Sequence, residues 1–468
     1  MAPRPYAIFA ASLSLASAAV TRYPPKSSEI NNLDAALNGT GAPGIYNSAN
    51  TPDEIYGTYN WCNMPHVRQR EYEAPAGEYV LKYVEVIQRH HKRTPYSSNV
   101  FFREDITWDC SSGLPSFGLQ NDENKSSRIN WRRYTSSQDP WTSTISPGFI
   151  GLSCQFPQIT SEGWEDSRAH GSVRSSRRLR SSSRSPIYVR RNIARVRVIN
   201  NVITSQVGSG LVAGLFPDSS SVDVVIQLSG IDSLEPQLNC PKANFLRNAY
   251  AGSNNANWTR HLDAASPLYG RLREVSGVPK GDTAGWHTSF DHYYDNLSAK
   301  QCHGKTLPCS MNDTETCISH EDVRHHRDYI MFLFLKLLHA DTVYRLGNHE
   351  YSYIFRDAPE SALCVALRFG AWFHELKHNL ETIISDENQI RYLHNIAHDG
   401  SMSLALGFLQ IETMVGSEIV FELHQNSNEH SASQWFIRVL WSGKPMVTST
   451  PLGILDMVPV EDMFDCAF

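Results

Sequence analysis

Residues 79–95 read YVLKYVEVIQRHHKRTP, and this stretch decides how the rest of the chain is interpreted. Its first nine residues are β-branched, aromatic and other apolar side chains interrupted by Lys82 and Glu85, which predicts a β-strand entering a core. Arg89, His90 and Arg93 follow where this strand ends, and Pro95 prevents regular ladder structure directly behind them. Open α/β sheets bind ligands at the carboxyl ends of their strands, so the sequence predicts a binding site here.

The residue types of this loop favour phosphate chemistry. The guanidinium groups of Arg89 and Arg93 present donors that match phosphate oxygens and remain charged at any relevant pH. His90 stands between them and could attack phosphorus, carrying the phosphoryl group covalently. A basic, solvated surface loop is the alternative interpretation of so short a motif.

A second stretch far along the chain has the same character. Residues 392–397 predict another strand, which ends at His398 and Asp399. Ser401 then suits the N-cap of an apolar-periodic helix over residues 402–411, and a helix N-terminus favours a bound anion. His398 can donate to a phosphate oxygen, and Asp399 can give a proton to a leaving oxygen.

Together the two stretches resemble the histidine acid phosphatases, which pair an early R-H-G-x-R-x-P pattern with a later H-D. His91 stands here in place of the family's glycine. The stretches 59–66, 154–160 and 200–206 are similar to secreted fungal members, and the resemblance covers most of residues 56–468 apart from one gap.

The resemblance implies an α/β fold in which a Rossmann-like core sheet is flanked by helices and carries an inserted, mostly helical smaller domain. We place the core at residues 56–219 and 331–468, and the insert, which would form one wall of the substrate cleft, at residues 220–330. Two runs rich in β-branched and aromatic residues, 418–423 and 434–441, predict a pair of strands at the edge of the sheet.

The resemblance also implies a phosphoric monoester hydrolase that works at acidic pH through a phosphohistidine. His90 would attack phosphorus while Arg89, Arg93 and His398 hold the phosphoryl oxygens. Asp399 would protonate the departing oxygen and then act as a base, so its pKa is expected to be raised. No metal or other cofactor is expected, because the arginines supply the positive charge.

Two other classes of protein remain open at this point. A phosphate-binding member of the same fold, weakened in catalysis, would bind anions without forming a phosphohistidine. A phosphotransferase would pass the group to a second substrate rather than to water. In each case the expected partner is a small phosphomonoester, and its leaving group is undetermined among phytate, sugar phosphates, nucleotides and phosphoprotein.

The sequence departs from the family pattern at the position of a further arginine. The family pattern includes Arg-Ser/Thr-Thr-x-x-x-Arg, whose second arginine also contacts the phosphate. Aligned without gaps, Arg197 takes the first arginine position and Ile203 takes the second. We therefore predict a slower or weaker-binding enzyme, unless Arg197 or an arginine of the preceding basic stretch reaches the phosphate.

Several features predict export. Residues 1–19 have the basic start, apolar stretch and small-residue cleavage site of a secretory signal, and residues 20–55 are typical of an exposed leader. Nine cysteines suggest disulfides, with at least one cysteine free or paired between chains, and sequence does not choose their connectivity. No later segment has the ~18 apolar residues of a membrane span. Five glycosylation sequons begin at Asn38, Asn124, Asn257, Asn296 and Asn312.

The charge distribution is uneven. The net charge of −6 argues against a dedicated nucleic-acid binder, yet residues 168–197 hold ten arginines and no acidic residue. Family resemblance is lost between about 172 and 195. This basic, low-complexity segment is interpreted as a disordered loop, as a wrongly translated part of the gene, or as a polyanion-binding patch. Oligomeric state is not predicted.

Overall fold

The computed structural model describes most of the chain beyond residue 71 and a few segments before it. The described residues are 30–42, 44–45, 61–62, 72–101, 106–108, 110, 138–140, 154, 156–176, 191–218, 222–310, 312–313, 315–319, 340–411, 418–428, 433–441 and 443–467. The predicted signal segment, residues 1–19, and residues 177–190 of the basic segment lie outside this set.

One mixed β-sheet forms the centre of the molecule. Its strands are β1 Tyr79–Arg89, β2 Ala194–Val198, β3 Val224–Ile226, β4 Tyr392–Ala397, β5 Glu418–Asn426, β6 Trp435–Trp441, β7 Lys444–Pro445 and β8 Val458–Pro459. The order is β3-β2-β4-β1-β5-β6-β7, and β8 pairs with β6. Strands β3, β2, β4 and β1 are parallel, whereas β5 to β8 join the sheet antiparallel. The predicted α/β fold is confirmed, and so are the two predicted late strands.

Eleven α-helices lie within the described residues, and they surround this sheet. They are α1 Leu33–Asn38, α2 Ser161–Ser176, α3 Val202–Leu215, α4 Pro241–Ala251, α5 Ala256–Ala264, α6 Ser266–Ser276, α7 Asp291–Cys302, α8 Ala340–Ser352, α9 Ser361–Ile384, α10 Asp399–Phe408 and α11 Val460–Ala467.

Alternation along β1 separates two hydrophobic clusters, because successive side chains of a strand point to opposite faces. Ile87 belongs to a large cluster with Phe369 of α9 and Leu406 of α10. Val86 belongs to a second cluster with Leu211 of α3. The sheet is therefore covered by helices on both faces.

The helices of the predicted insert share the core of the sheet. Leu268 of α6 and Tyr293 of α7 belong to the same cluster as Ile87 and Phe421. Strand β3, inside the predicted range 220–330, pairs with β2 of the central sheet. The helical part therefore begins later, at Pro241, and packs directly onto the core.

The interpretation of residues 20–55 as an exposed leader is wrong for the part that the structure describes. Ile30, Ala36 and Ile45 are buried and join the large cluster. Arg345 of α8 donates to the carbonyl oxygens of Ala36 (3.1 Å) and Gly41 (2.6 Å), which ties the segment down. The apolar residues of this stretch are too few for a core of their own, but they suffice to cover α8.

Three disulfides join Cys62 to Cys302, Cys110 to Cys154, and Cys309 to Cys317. The remaining cysteines, Cys240, Cys364 and Cys466, are not disulfide-bonded. The first two bridges link distant parts of the chain, which restricts the unfolded ensemble.

The sequons differ in accessibility. Asn38, Asn257 and Asn312 are exposed, whereas Asn296 is 0% exposed. The Asn296 amide donates to the carbonyl of Asn99 (2.9 Å), so the folded protein has no room for a glycan there. Asn124 lies outside the described residues. Among the helices that the structure describes, none is long and apolar enough to cross a membrane.

Candidate active site

Two strand ends meet at the candidate site. Strands β1 and β4 are parallel neighbours, and their last residues, Arg89 and Ala397, are paired. The His90 N–H donates to the carbonyl of Ala397 (3.1 Å), so the two predicted motifs leave the sheet side by side. The sheet thereby places Arg89, His90, Arg93, His398 and Asp399 in one cluster.

His90 is held as a neutral imidazole with a defined tautomer. Arg93 Nε lies 3.1 Å from His90 Nε2, and because a guanidinium only donates, Nε2 carries the lone pair. His90 Nδ1 then bears the hydrogen and donates to the His91 carbonyl (2.8 Å). Burial, together with Arg93, Arg89 and His398, lowers the pKa of His90 well below its usual range. The ring therefore keeps a nucleophilic nitrogen at acidic pH.

The two arginines are fixed by aromatic and acidic partners. The Arg89 guanidinium lies 3.6 Å from the ring centroid of Trp61 and donates to the Trp61 carbonyl (3.1 Å). Arg93 pairs with Asp295 (2.8 Å) and lies over the ring of Tyr96. Both side chains are buried, so their donors point in directions set by these contacts.

His398 is buried beside His90, with ring centroids 5.3 Å apart. Within the described residues, neither of its ring nitrogens has a hydrogen-bond partner, and the carboxylate of Glu235 lies 3.8 Å from Nε2. Burial, with Arg93 and Arg89, lowers the pKa of His398 to about 4, although Asp399 opposes this. Above that pH it offers one N–H to an anion.

The pKa of Asp399 is shifted in the direction opposite to the one expected from the sequence. Burial raises the pKa of this carboxyl, but Arg89, His398, Arg93 and a hydrogen bond from Tyr351 outweigh burial and leave the pKa below its usual value. The Tyr351 hydroxyl donates to Asp399 Oδ2 (3.1 Å). The predicted raised pKa is therefore wrong for the free site, because the sequence did not reveal how closely the arginines approach.

The helix after the second motif begins earlier than predicted. Its first residue is Asp399 and its N-cap is His398, rather than Ser401. Ser401 is buried inside the first turn. The N-terminal N–H groups of α10 therefore start at the site itself, where they favour a bound anion.

Arg197, the predicted further phosphate contact, has other partners. It lies on β2 and pairs with Asp232 (2.8 Å) and Glu375 (2.8 Å), and it donates to Ser233 (3.0 Å). Two carboxylates thus match its charge, and we do not include it among the phosphate ligands proposed below.

Ile203 is 0% exposed on α3 and belongs to the second hydrophobic cluster with Val198, Val207 and Leu211. The position aligned with the family's second arginine therefore packs against apolar side chains.

Lys92 is held by two carboxylates. Its ammonium lies 3.4 Å from Glu162 and 3.3 Å from Asp166, both on α2. Burial raises the pKa of Asp166 to about 6, while Lys92 opposes this rise. The pairing anchors the loop after β1 to α2.

A cleft of about 260 Å³ opens beside these groups. Its wall is lined by Trp61, Arg93, Tyr96, Asn99, Glu235, Asp291, Tyr294, Asp295, Gly347, Tyr351, His398, Asp399 and Gly400. Burial, with neighbouring carboxylates, raises the pKa values of Glu235 and Asp291 to about 7 each. The sequence carried no signal for Glu235 or Asp291, because each comes from a segment without a motif.

The charges of the site favour an anion over a cation. His90, His398 and Asp399 present possible ligand atoms within 4.8 Å of one another. Arg89 and Arg93 lie among them, however, and their positive charge opposes a metal ion and attracts phosphate.

No protein-family model matches this sequence, and no curated protein matches it. Among solved structures, the Hafnia alvei phytase in complex with tartrate is 13% identical, covering 84% of this chain and 98% of its own, with a TM-score of 0.47. The phytase from D. castellii is 12% identical over 93% of this chain and 91% of its own, with a TM-score of 0.44. The Bifidobacterium longum multiple inositol polyphosphate phosphatase in complex with inositol hexasulfate is 9% identical over 84% and 94%, with a TM-score of 0.43. These similarities are too remote to assign an activity, which has to be inferred from the chain's own residues.

Proposed function

We propose that this chain is a secreted phosphomonoesterase of the histidine acid phosphatase type, which works through a phosphohistidine. The observation that carries the proposal is the state of His90. Its Nε2 has a lone pair, its Nδ1 hydrogen is fixed by a backbone carbonyl, and two buried arginines stand beside it. A neutral nucleophile next to fixed cations suits attack on a phosphate ester.

The reaction has two displacements. In the first, Nε2 of His90 forms a bond to phosphorus as the bond to the ester oxygen breaks, and the carboxyl group of Asp399 protonates that oxygen. Arg89, Arg93 and His398 hold the phosphoryl oxygens, where their charge and N–H groups stabilise the transition state. In the second, water attacks phosphorus, the nitrogen–phosphorus bond breaks, and the carboxylate of Asp399 takes the proton from water.

Binding of the ester requires Arg93 to exchange partners. Its Nε now occupies the lone pair of His90, and a phosphate oxygen would take over that hydrogen bond. The nitrogen is thereby released at the moment when the substrate arrives. Asp295 keeps the guanidinium in place from its other side.

Export is part of the proposal. Three disulfides and the exposed sequons at Asn38, Asn257 and Asn312 suit an oxidising, glycosylating route. The compared structures are phytases or an inositol polyphosphate phosphatase, so inositol phosphates belong among the substrates to test.

Rapid-quench labelling with a radioactive phosphomonoester tests the mechanism. We expect acid-labile, base-stable label on the wild-type protein, with release of inorganic phosphate, and neither label nor turnover in His90→Ala. His374→Ala, an exposed histidine on α9, should behave as wild type.

Each alternative has its own result in this assay. Binding of the ester without label identifies a phosphate-binding protein. Label that passes only to an added acceptor alcohol identifies a phosphotransferase. Full turnover by a folded His90→Ala variant would exclude His90 as the nucleophile.

A further inference from the structure

The wall of the cleft carries two carboxyl groups, those of Glu235 and Asp291, beyond the side chains that would hold the phosphate. Glu235 Oε1 lies 3.8 Å from His398 Nε2, and Asp291 Oδ2 lies 3.9 Å from His292 Nδ1. Within the part of the chain that the structure describes, neither carboxyl group forms an ion pair with a lysine or an arginine. Glu235 and Asp291 are called the wall carboxyl groups below.

Asp295, a further carboxylate of the cleft, has its charge matched inside the protein. It pairs with Arg93 (2.8 Å) and accepts from the Tyr96 N–H (2.9 Å) and from the Asn99 amide (2.8 Å). Its lone pairs and its charge are therefore already used to hold the phosphate end of the site. The wall carboxyl groups have no such set of donors among the described residues, so their negative charge faces the cleft.

Both wall carboxyl groups lie close to where the phosphate would bind. A phosphoryl oxygen that accepts from His398 Nε2 would lie about 2.9 Å from that atom, and Glu235 Oε1 is 3.8 Å from the same atom. Asp291 precedes Asp295 by four residues in α7, so it stands one turn, about 5.4 Å, further along the same face of the helix. Asp295 in turn pairs with Arg93. Each of these two phosphate-holding side chains thus has a carboxyl group just beyond it.

The positive charge of the site is taken up by the phosphate itself. A bound phosphomonoester brings close to two negative charges near pH 7, and the buried Arg89 and Arg93 match them. His398 is 5% exposed and lines the cleft, and neither of its ring nitrogens has a hydrogen-bond partner within the described residues, so it has a donor ready for a ligand. With the phosphate in place, the wall carboxyl groups have no counter-charge, and like charges at this range repel. A cation on the leaving alcohol would supply the missing charge.

We propose that the site selects phosphomonoesters whose alcohol carries a protonated amine two or three carbons from the ester oxygen, and that Glu235 and Asp291 bind the ammonium group. This inference rests on the proposed function. An ammonium nitrogen two carbons from the ester oxygen lies about 5 Å from phosphorus, which is within reach of Glu235 when the phosphate is held by His398. The proton of the leaving oxygen still comes from Asp399, and the wall carboxyl groups only bind the alcohol.

The selectivity should depend on pH, because the wall carboxyl groups attract an ammonium group only when they are ionised. The titratable and charged side chains that face them are His398, Asp232 and Asp399 at Glu235, and Arg93, His292, Asp295, Glu350 and Asp399 at Asp291. Burial and the neighbouring carboxylates raise the pKa of each wall carboxyl group to about 7 in the free site. A bound ammonium group favours the ionised form and lowers that pKa again. The preference for the amine should therefore increase between pH 5 and pH 7.5.

The experiment compares two substrates of equal size on the full-length chain. O-phosphoethanolamine and propyl phosphate have the same number of non-hydrogen atoms, and only the first carries an ammonium group. We measure the ratio of their kcat/KM values at pH 7.5 and low salt. In the double variant Glu235→Gln/Asp291→Asn this ratio should fall by about tenfold or more, since a charged hydrogen bond is lost. The difference in intrinsic reactivity of the two esters is the same for every protein and cancels in this comparison.

The matched control removes the same two charges elsewhere. Glu381 and Glu387 are exposed at and just beyond the end of α9, and the double variant Glu381→Gln/Glu387→Gln should keep the wild-type ratio. Added salt should lower the ratio of the wild-type protein and of this control, because it screens the attraction. It should have little effect on the ratio of the Glu235→Gln/Asp291→Asn protein.

The inference is overturned if the folded Glu235→Gln/Asp291→Asn protein keeps the wild-type ratio, or if the control variant loses it equally. Should this double variant fail to fold, the two single variants are compared in the same way. The wild-type protein then gives an independent decision, since a ratio that changes neither between pH 5 and pH 7.5 nor with salt also overturns the inference. A wild-type protein that hydrolyses neither ester nor any other phosphomonoester would refute the proposed function itself, which is a distinct result.

Discussion

The contact between Arg93 and His90 explains at the scale of single residues how one site can combine a nucleophile with cations. A protonated histidine could not attack phosphorus, and burial together with the two arginines keeps the ring neutral by lowering the pKa of His90. The same arginines attract the phosphate. In the proposed reaction, the charge that binds the substrate therefore also helps to maintain the reactive form of the nucleophile.

The structure predicts that an arginine at position 203 would destabilise the protein rather than restore the phosphate contact of the family pattern. Ile203→Arg would place an unpaired charge in the second hydrophobic cluster, where Ile203 is 0% exposed. We expect a loss of stability of about 3–5 kcal/mol, the cost of an uncompensated buried charge. Urea unfolding followed by circular dichroism measures it.

The neighbouring residue gives the matched control. Val202 is 39% exposed on the same turn of α3, so Val202→Arg should change stability by less than about 0.5 kcal/mol. A stable Ile203→Arg protein with increased kcat/KM would show instead that position 203 faces the phosphate.

The residues of the two motifs could be predicted from the sequence because they are close neighbours along the chain and their side-chain types point to one chemistry. Their partners could not. Asp295 and Tyr351 come from helices with no pattern of their own, and they reach Arg93 and Asp399 only through the packing of α7 and α8. The direction of the Asp399 pKa was mispredicted for the same reason, since it depends on distances that no motif contains.

At the scale of elements, α2 supports the loop that carries His90. Lys92 pairs with Glu162 and Asp166 of α2, and the Thr160 N–H donates to the Lys92 carbonyl (3.3 Å). The helix backbone approaches so closely at Gly163 that a Cβ there would overlap the same carbonyl. The first turn of α2 therefore fixes the position of the loop after β1.

Gly163→Ala tests this close approach. An exposed helical glycine usually gains about 1 kcal/mol when replaced by alanine, but here we expect a loss of about 1–3 kcal/mol through overpacking. Because the loop has to shift, kcat on a simple phosphomonoester should fall as well. Thermal unfolding and steady-state kinetics measure the two effects.

Gly281→Ala is the control, since nothing lies within 4 Å of its added Cβ. Equal stability and activity of both variants would mean that α2 does not constrain the loop.

Element boundaries followed from the sequence only where periodicity was strong. The strands that carry the two motifs were predicted well, since their apolar residues enter a core. The start of α10 was predicted three residues late because Ser401 suits an N-cap by its chemistry, whereas the actual cap is His398 at the end of β4. The burial of Ile30 and Ile45 against α8 likewise depends on a tertiary surface that composition does not reveal.

At the scale of the whole molecule, the sheet supplies cations and the helices supply acids. Arg89 ends β1, and His90 and His398 directly follow β1 and β4, whereas Asp291 and Asp295 belong to α7. In the proposed reaction, the phosphate to be cleaved would meet positive charge, and the rest of the substrate would meet carboxyl groups.

This division predicts how substrate charge and pH interact. Burial raises the pKa values of Glu235 and Asp291 to about 7, so both are neutral below that pH and each adds a negative charge as pH rises through it. A second phosphate about 8 Å away would then be repelled by roughly 2 kcal/mol per carboxylate before salt screening. We expect the ratio of kcat/KM for a sugar monophosphate to that for the matching bisphosphate to increase about tenfold between pH 5 and 8 at low salt.

A comparison of the wild-type protein with Asp291→Asn isolates the effect of the Asp291 carboxyl group. The titration of the substrate's own phosphates affects both proteins equally. The variant should flatten the rise in that ratio while leaving its value at pH 5 almost unchanged, since Asp291 is already neutral there. Added salt should reduce the effect in the wild-type protein more than in the variant, because it screens the charge that the variant lacks. A ratio that stays constant with pH, or that rises equally in both proteins, would show that the leaving group does not approach α7 and leaves the cleft by another side.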